Sequence, residues 1–144
     1  MSVSEASRYL DLADRDYAVA AMLTGAAGKA KRDVTDWQVT LLYYVLCVEV
    51  KALAASRGLE LPDHYSIKQW LNAERDLLVT AKPYRKAEEW SRDARYEGRL
   101  FTPAELSRYA RWFEAVHLHV RDLLKRANIV RPDRISVATL LDLG

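Results

Sequence analysis

Residues 37–57 read WQVTLLYYVLCVEVKALAASR, and Gly58 follows. Of these 21 residues only Gln38, Thr40, Glu49, Lys51, Ser56 and Arg57 are polar, and apolar side chains fall on nearly every side of a helical wheel. A helix that is apolar all round is buried by its neighbours. The unbroken apolar run, Leu41 to Val48, is eight residues long and is followed by Glu49 and Lys51, short of the roughly 20 residues of a membrane span. The stretch therefore reads as the core helix of a soluble helical domain. Trp37, Leu41, Tyr44, Val45, Val48, Ala52 and Ala55 mark one face, and Leu42, Leu46, Val50 and Leu53 fill the other side. Glu49 and Lys51 are the exceptions: an unpaired buried charge is expensive, so each must find a partner or reach an edge. Glu49 either completes a buried pair or orients a basic group of a site.

Upstream, Ser2 and Glu5 have the spacing of a capping box, and Tyr9, Ala13, Tyr17 and Ala20 repeat at helical intervals. This predicts a helix over 4–23, stopped by Thr24-Gly25 and Gly28. Residues 26–36 then read as a solvated loop carrying Lys29, Lys31 and Arg32, with Thr35 or Asp36 capping the core helix. Downstream, Asp63 or Ser66 caps a helix over 67–78, with His64 at or near its start. Pro83 breaks the pattern, and 84–96 forms a further short helix of alternating charge. Thr102-Pro103-Ala104-Glu105 supplies a cap, a first-turn proline and a reciprocal glutamate, the clearest helix start in the chain. That helix runs to about Ala127, with Leu106, Tyr109, Ala110, Phe113, Val116, Val120, Leu123, Leu124 and Ala127 as its core stripe. His117 falls inside the stripe, whereas Arg108, Arg111, His119, Asp122 and Arg126 cluster on the far side. After Arg131-Pro132, SVATLLDL reads as a short apolar helix that docks on this bundle or on a second copy.

The expected architecture is all-α, an up-and-down bundle of four to five helices. Residues 1–130 form one domain and 131–144 a C-terminal tail. At 144 residues the chain buries about two thirds of its unfolded surface without staples. The lone cysteine, Cys47, lies inside the core helix and reads as a buried thiol. With no basic region followed by an apolar run at the N-terminus, the expected address is the cytoplasm. A net charge of +2 does not demand a polyanionic partner, but residues 108–134 hold seven Lys or Arg against Glu114, Asp122 and Asp133. If an anion binds, this segment is the first place to look for it. Metal-ligand spacings, glycine-rich phosphate loops and nucleophile motifs are absent from the sequence, so no cofactor is expected.

Four features together resemble the HEPN superfamily of small helical domains. They are the Tyr-rich core helix ending VEVKALAASRG, the loop LPDHYSIKQWL with its histidine ahead of a helix, the segment SRDARYEG, and the last long helix. The resemblance covers most of residues 9–127. It implies a nucleotide- or RNA-binding helical module, often a homodimer. Many members are metal-independent endoribonucleases of toxin or defence type; others bind or dock partners without catalysis, sometimes beside a nucleotidyltransferase or an antitoxin.

The ribonuclease members share an Arg followed after four to six residues by His. Arg111 and His117 have five residues between them, but Trp112 stands where a polar residue is common, and in an unbroken helix the two point about 120° apart. Such a pair would let histidine move the 2′-hydroxyl proton while arginine holds the phosphorane charge. His119, on the same face as Arg108 and Arg111, is the substitute histidine. Three readings stand. The favoured one is a non-catalytic module binding nucleotide, RNA or a partner protein through Arg92, Arg95, Tyr96, Arg108 and Arg111, since guanidinium forks grip phosphate and an aromatic stacks on a base. The second is an endoribonuclease using Arg111 and His117. The third is an oligomerisation scaffold whose basic C-terminal third is only solvated surface.

Overall fold

The computed structural model describes residues 3–143. Among the described residues six α-helices follow one another: α1 (Val3–Ala30), α2 (Thr35–Ser56), α3 (His64–Ala73), α4 (Leu78–Glu97), α5 (Pro103–Arg126) and α6 (Val137–Leu140), with a 3-10 turn, Arg75–Leu77, between α3 and α4. No strand occurs among the described residues. The molecule is all-α, and α2 is its axis: α1, α4 and α5 all pack on it, α4 packs on α5, α3 lies on α4, and α6 touches α5 and α1. Leu42, Tyr43, Val45, Leu46, Val50, Ala52, Leu53 and Ala54 of α2 are buried, which is why its sequence is apolar all round. Taken whole, α2 is long and apolar enough to cross a membrane, but 72% of its most apolar window is buried inside the fold.

Trp37 is a correction: expected on the core face, it is 62% exposed. It stands in the first turn of α2, and the N-cap is Val34, so neither Thr35 nor Asp36 caps the helix. Thr35 Oγ1 instead accepts from Phe101 N at 2.9 Å, tying the α4–α5 loop to the start of α2. Asp36 Oδ1 accepts from Trp37 N.

The first helix continues through Thr24, Gly25 and Gly28 to Ala30, so the expected stop and most of the expected loop are helical. A helical glycine costs roughly 1 kcal/mol relative to alanine, which a 28-residue helix packed on α2 absorbs. Thr24 also ties α1 to α2 and α6, accepting from Gln38 Nε2 at 2.6 Å and donating to Leu140 O at 2.7 Å. The helix closes where Arg32 N donates to Ala27 O and Lys31 takes a left-handed φ of 54°. Lys29, Lys31 and Arg32 are exposed, as expected. Ser2, the other half of the expected capping box with Glu5, lies outside the described residues.

Asp63 and Ser66 form a capping box at the start of α3. That helix ends at Ala73, earlier than expected, and Leu77 and Leu78 belong to the 3-10 turn and α4. Pro83 lies inside α4 and does not interrupt it. The bond it forgoes is to Val79, an exposed residue in the first turn of α4. α4 closes on Gly98, whose φ of 63° is the left-handed geometry a helix C-terminus favours. Thr102 and Glu105 form the expected capping box of α5, and the expected core stripe is buried except for Ala127, which is exposed at the C-cap. Beyond it Asn128 takes a left-handed φ of 64° and Ile129 N donates to Leu124 O. This turn folds residues 129–143 back over α5 and α1, where Val137, Leu140 and Leu141 are buried.

Candidate functional site

Trp37, Thr40 and Tyr44 recur at intervals of three and four along α2 and so share a face. Across from them α4 brings Ala94, Arg95 and Gly98, and between the two helices lies a cleft of about 210 Å³ lined by Asp36, Trp37, Thr40 and Arg95. The Arg95 guanidinium carbon lies 5.6 Å from the ring centres of Tyr43 and Tyr44 and 5.4 Å from that of Tyr96. Its hydrogen bonds go to neutral acceptors, the Tyr44 hydroxyl at 3.2 Å and Ser91 O at 3.3 Å. Other arginines here are neutralised by carboxylates: Arg99 by Asp93 and Glu105, Arg131 by Asp11 and Asp14, Arg134 by Asp14 and Glu49. Arg95 keeps its charge, held in place by aromatic faces. Tyr96 is 73% exposed beside it, and Arg92 is exposed with no partner among the described residues. A guanidinium flanked by Trp37 and Tyr96 offers a phosphate donor between two stacking surfaces.

Beneath this surface Tyr43 is the centre of a polar cluster. Its hydroxyl lies 2.9 Å from His64 Nδ1, 3.2 Å from the Tyr84 hydroxyl and 3.3 Å from Glu88 Oε2. Lys68 Nζ pairs with Glu88 Oε1 at 3.0 Å, and Cys47 Sγ is 3.3 Å from the Tyr84 hydroxyl. Burial pushes Tyr43 and Tyr84 far above the ordinary tyrosine range and raises the Cys47 thiol to about 11. Desolvation lowers His64 below the usual histidine value, outweighing the pull of Glu88. Burial thus keeps the protons on Tyr43, Tyr84 and Cys47 and favours the neutral ring of His64. Cys47 is a thiol and not a nucleophilic thiolate. The cluster joins α2, α3 and α4 and fixes the Tyr43 ring under Arg95.

A second polar centre lies at Glu49, which has no solvent exposure. Its carboxylate accepts from Arg121 Nε at 3.0 Å, lies 2.8 Å from His117 Nδ1, and is 3.5 Å from Arg134. Glu49 is therefore buried and ion-paired, the first of its two readings. Arg134 and Arg131 also reach Asp14, at 2.7 and 3.3 Å. Arg134 Nη1 has no hydrogen-bond partner among the described residues, and its guanidinium lies 4.8 Å from the Tyr17 ring centre. These bonds clamp the C-terminal segment onto α1, α2 and α5. Between α5 and that segment is a cleft of about 480 Å³ walled by His117, Arg121, Lys125, Arg131 and Arg134, with Glu114, Asp122 and Asp133 also lining it.

Arg111 does not face this cleft. It lines a separate apolar groove of about 840 Å³ with Ala110, Ala115 and Leu118. His117 and Arg111 therefore open onto different grooves, as their separation on a regular helix requires. His119 lines the same groove as Arg111, but its Nε2 is 2.6 Å from Asp76 O. Arg108 is exposed on α5 and lines none of these clefts. Arg95 and Tyr96 come together as the sequence placed them, with Arg92 on the next turn. Trp37 and Tyr44 were missed as members of that surface; the signal available was a Trp and a Tyr seven residues apart on one helix face. Among the described residues no group of three His, Cys, Asp or Glu side chains is placed to hold a metal ion. Searches against protein-family models, curated proteins and solved structures find no match to this chain.

Proposed function

We propose that this chain is a HEPN-like cytoplasmic helical module that binds a phosphate-bearing ligand, nucleotide or single-stranded RNA, without cleaving it. The observation that carries the reading is Arg95, an arginine without a carboxylate partner, set among Tyr43, Tyr44 and Tyr96 beside exposed Trp37. Arg95 takes the phosphate, Trp37 and Tyr96 stack bases, and Arg92 supplies a second cation along the backbone. The test is the anisotropy of a labelled single-stranded oligoribonucleotide titrated with the protein at low salt. Arg95→Ala is expected to weaken binding about tenfold or more, the size of one charge-assisted hydrogen bond. Trp37→Ala should cost about 1–3 kcal/mol, one stacked base. Arg85→Ala, an exposed arginine elsewhere on α4, should leave affinity unchanged. No binding by the wild type, or equal binding by Arg95→Ala, sinks the reading.

One observation favours the ribonuclease reading: His117 is oriented by the buried Glu49 and lines a cleft with Arg121 and Arg131. A histidine held by a carboxylate is the arrangement a general base uses. Cleavage of RNA in EDTA that disappears in both His117→Ala and Arg131→Ala would establish it. Intact RNA, with both variants folded, would leave the binding module.

A further inference from the structure

We infer that guanine is the base this surface selects and that Asp36 selects it, a conclusion that rests on the phosphate-binding reading of Arg95. Asp36, Trp37, Thr40 and Arg95 line one cleft, and α4 completes it with Ala94 and Gly98, which carry no more than a methyl group. The exposed indole of Trp37 therefore stands in a cleft whose far side leaves room for a flat ring.

Two opposite charges line this cleft and do not neutralise one another. Arg95 donates to the Tyr44 hydroxyl and to Ser91 O. Asp36 has no cationic partner among the described residues, and its Oδ1 accepts from Trp37 N at 2.9 Å. It stands in the first turn of α2, where the helix dipole favours a negative charge. A carboxylate has about four lone-pair positions, so most of the accepting capacity of Asp36 is unspent. Thr40 gives its hydroxyl proton to Asp36 O at 2.8 Å and meets a ligand as an acceptor too. A ligand that satisfies this cleft brings an anion to Arg95 and, on a flat ring over Trp37, a donor edge to Asp36.

The edges of the four bases decide between them. Guanine presents N1–H and its 2-amino group side by side, two donors that match the two oxygens of a carboxylate. Adenine and cytosine each place a ring-nitrogen acceptor beside the amino group, and uracil flanks its one N–H with two carbonyls. Each of these three sets a lone pair against the Asp36 carboxylate, and such repulsion gives specificity as much as the matched pair does. Uracil still stacks on Trp37 while its phosphate meets Arg95, so oligouridylate binds the same surface with lower affinity. Free guanine nucleotides and guanine in single-stranded RNA share this chemistry.

The test is anisotropy of labelled short oligouridylates with one central residue replaced by guanosine, inosine, adenosine, cytidine or xanthosine, titrated with the full chain at low salt in EDTA. The guanosine strand is expected to bind about tenfold or more tighter than the adenosine, cytidine or unsubstituted strands, the scale of one bidentate contact. Inosine, which lacks the 2-amino donor, should fall between. Asp36→Asn should lose the guanosine preference and prefer xanthosine, because an amide sets an acceptor against N1–H and a donor against the 2-carbonyl. Arg95→Ala should weaken every strand by the same factor and leave the preference in place. Guanosine monophosphate should compete better than adenosine monophosphate. If it matches an unlabelled guanosine strand the ligand is the free nucleotide, and if it is much weaker the ligand is RNA. Equal binding of all strands by the wild type overturns the guanine assignment and leaves the phosphate-and-stacking surface standing. A guanosine preference that survives Asp36→Asn overturns it as well. Binding of no strand at all removes that surface, and the guanine assignment with it.

Discussion

Glu49 is held by His117, Arg121 and Arg134, residues drawn from two segments more than sixty positions away in the chain. Its anomaly was legible in the sequence, a carboxylate in an apolar helix. Its partners were not, because nothing local to Glu49 points to residues 117–134. Removing the carboxylate leaves three cationic or polar groups without it, and Glu49→Ala is expected to destabilise the fold by about 3–5 kcal/mol in urea. A loss below about 1 kcal/mol would mean the arginines find solvent instead. Cys47 shows the opposite case, where the simple reading, a buried thiol, stands. Because burial raises its pKa from 9.0 to about 11, the folded state keeps the proton that the unfolded state loses. The stability this contributes is complete below pH 9.0 and is lost as pH rises towards about 11. Thiol reagents at neutral pH should therefore modify Cys47 only at the rate of global unfolding, and Cys47→Ala should flatten the alkaline fall in stability. Fast labelling of the native protein would contradict this. Trp37 was misread because helical periodicity reports which face a residue is on and not whether a neighbour reaches that level; in the first turn of α2, none covers its indole.

At the scale of elements, boundaries with side-chain chemistry were legible and those without it were not. The Thr102–Glu105 and Asp63–Ser66 capping boxes fix the starts of α5 and α3. The end of α1 has its glycines in the wrong place: Gly25 and Gly28 are helical, while the left-handed position that favours glycine is Lys31. A Cβ at Gly25 or Gly28 would meet nothing within 4 Å. Gly28→Ala is therefore expected to stabilise the protein by about 0.5–1 kcal/mol, and Lys31→Gly by roughly 1 kcal/mol through relief of the left-handed strain. Both are read from thermal or urea unfolding, and destabilisation by either would show that the helix ends earlier than Ala30. Pro83 misled in the same way, since its cost depends on the forgone partner, Val79, which is an exposed residue in the first turn of α4.

For the whole molecule, the all-α class followed from an apolar core helix and the absence of strand alternation, and the structure is all-α. Which helices meet was not legible, because pairing depends on contacts between distant segments. The surface that α2 and α4 build around Arg95 exists only after that pairing, which is why Arg95 and Tyr96 were visible in the sequence as a motif but Trp37 and Tyr44 were not. The central claim is that this surface takes stacked bases and a phosphate. The most direct measurement is the fluorescence of the exposed Trp37 during titration with oligouridylate in EDTA, with Trp37→Phe and Arg95→Ala in parallel. Binding at this surface should give saturable quenching that vanishes in Trp37→Phe, weakens in Arg95→Ala and falls with added salt as phosphate contacts require. Quenching that persists in Trp37→Phe, or no quenching in the wild type at low salt, would contradict it.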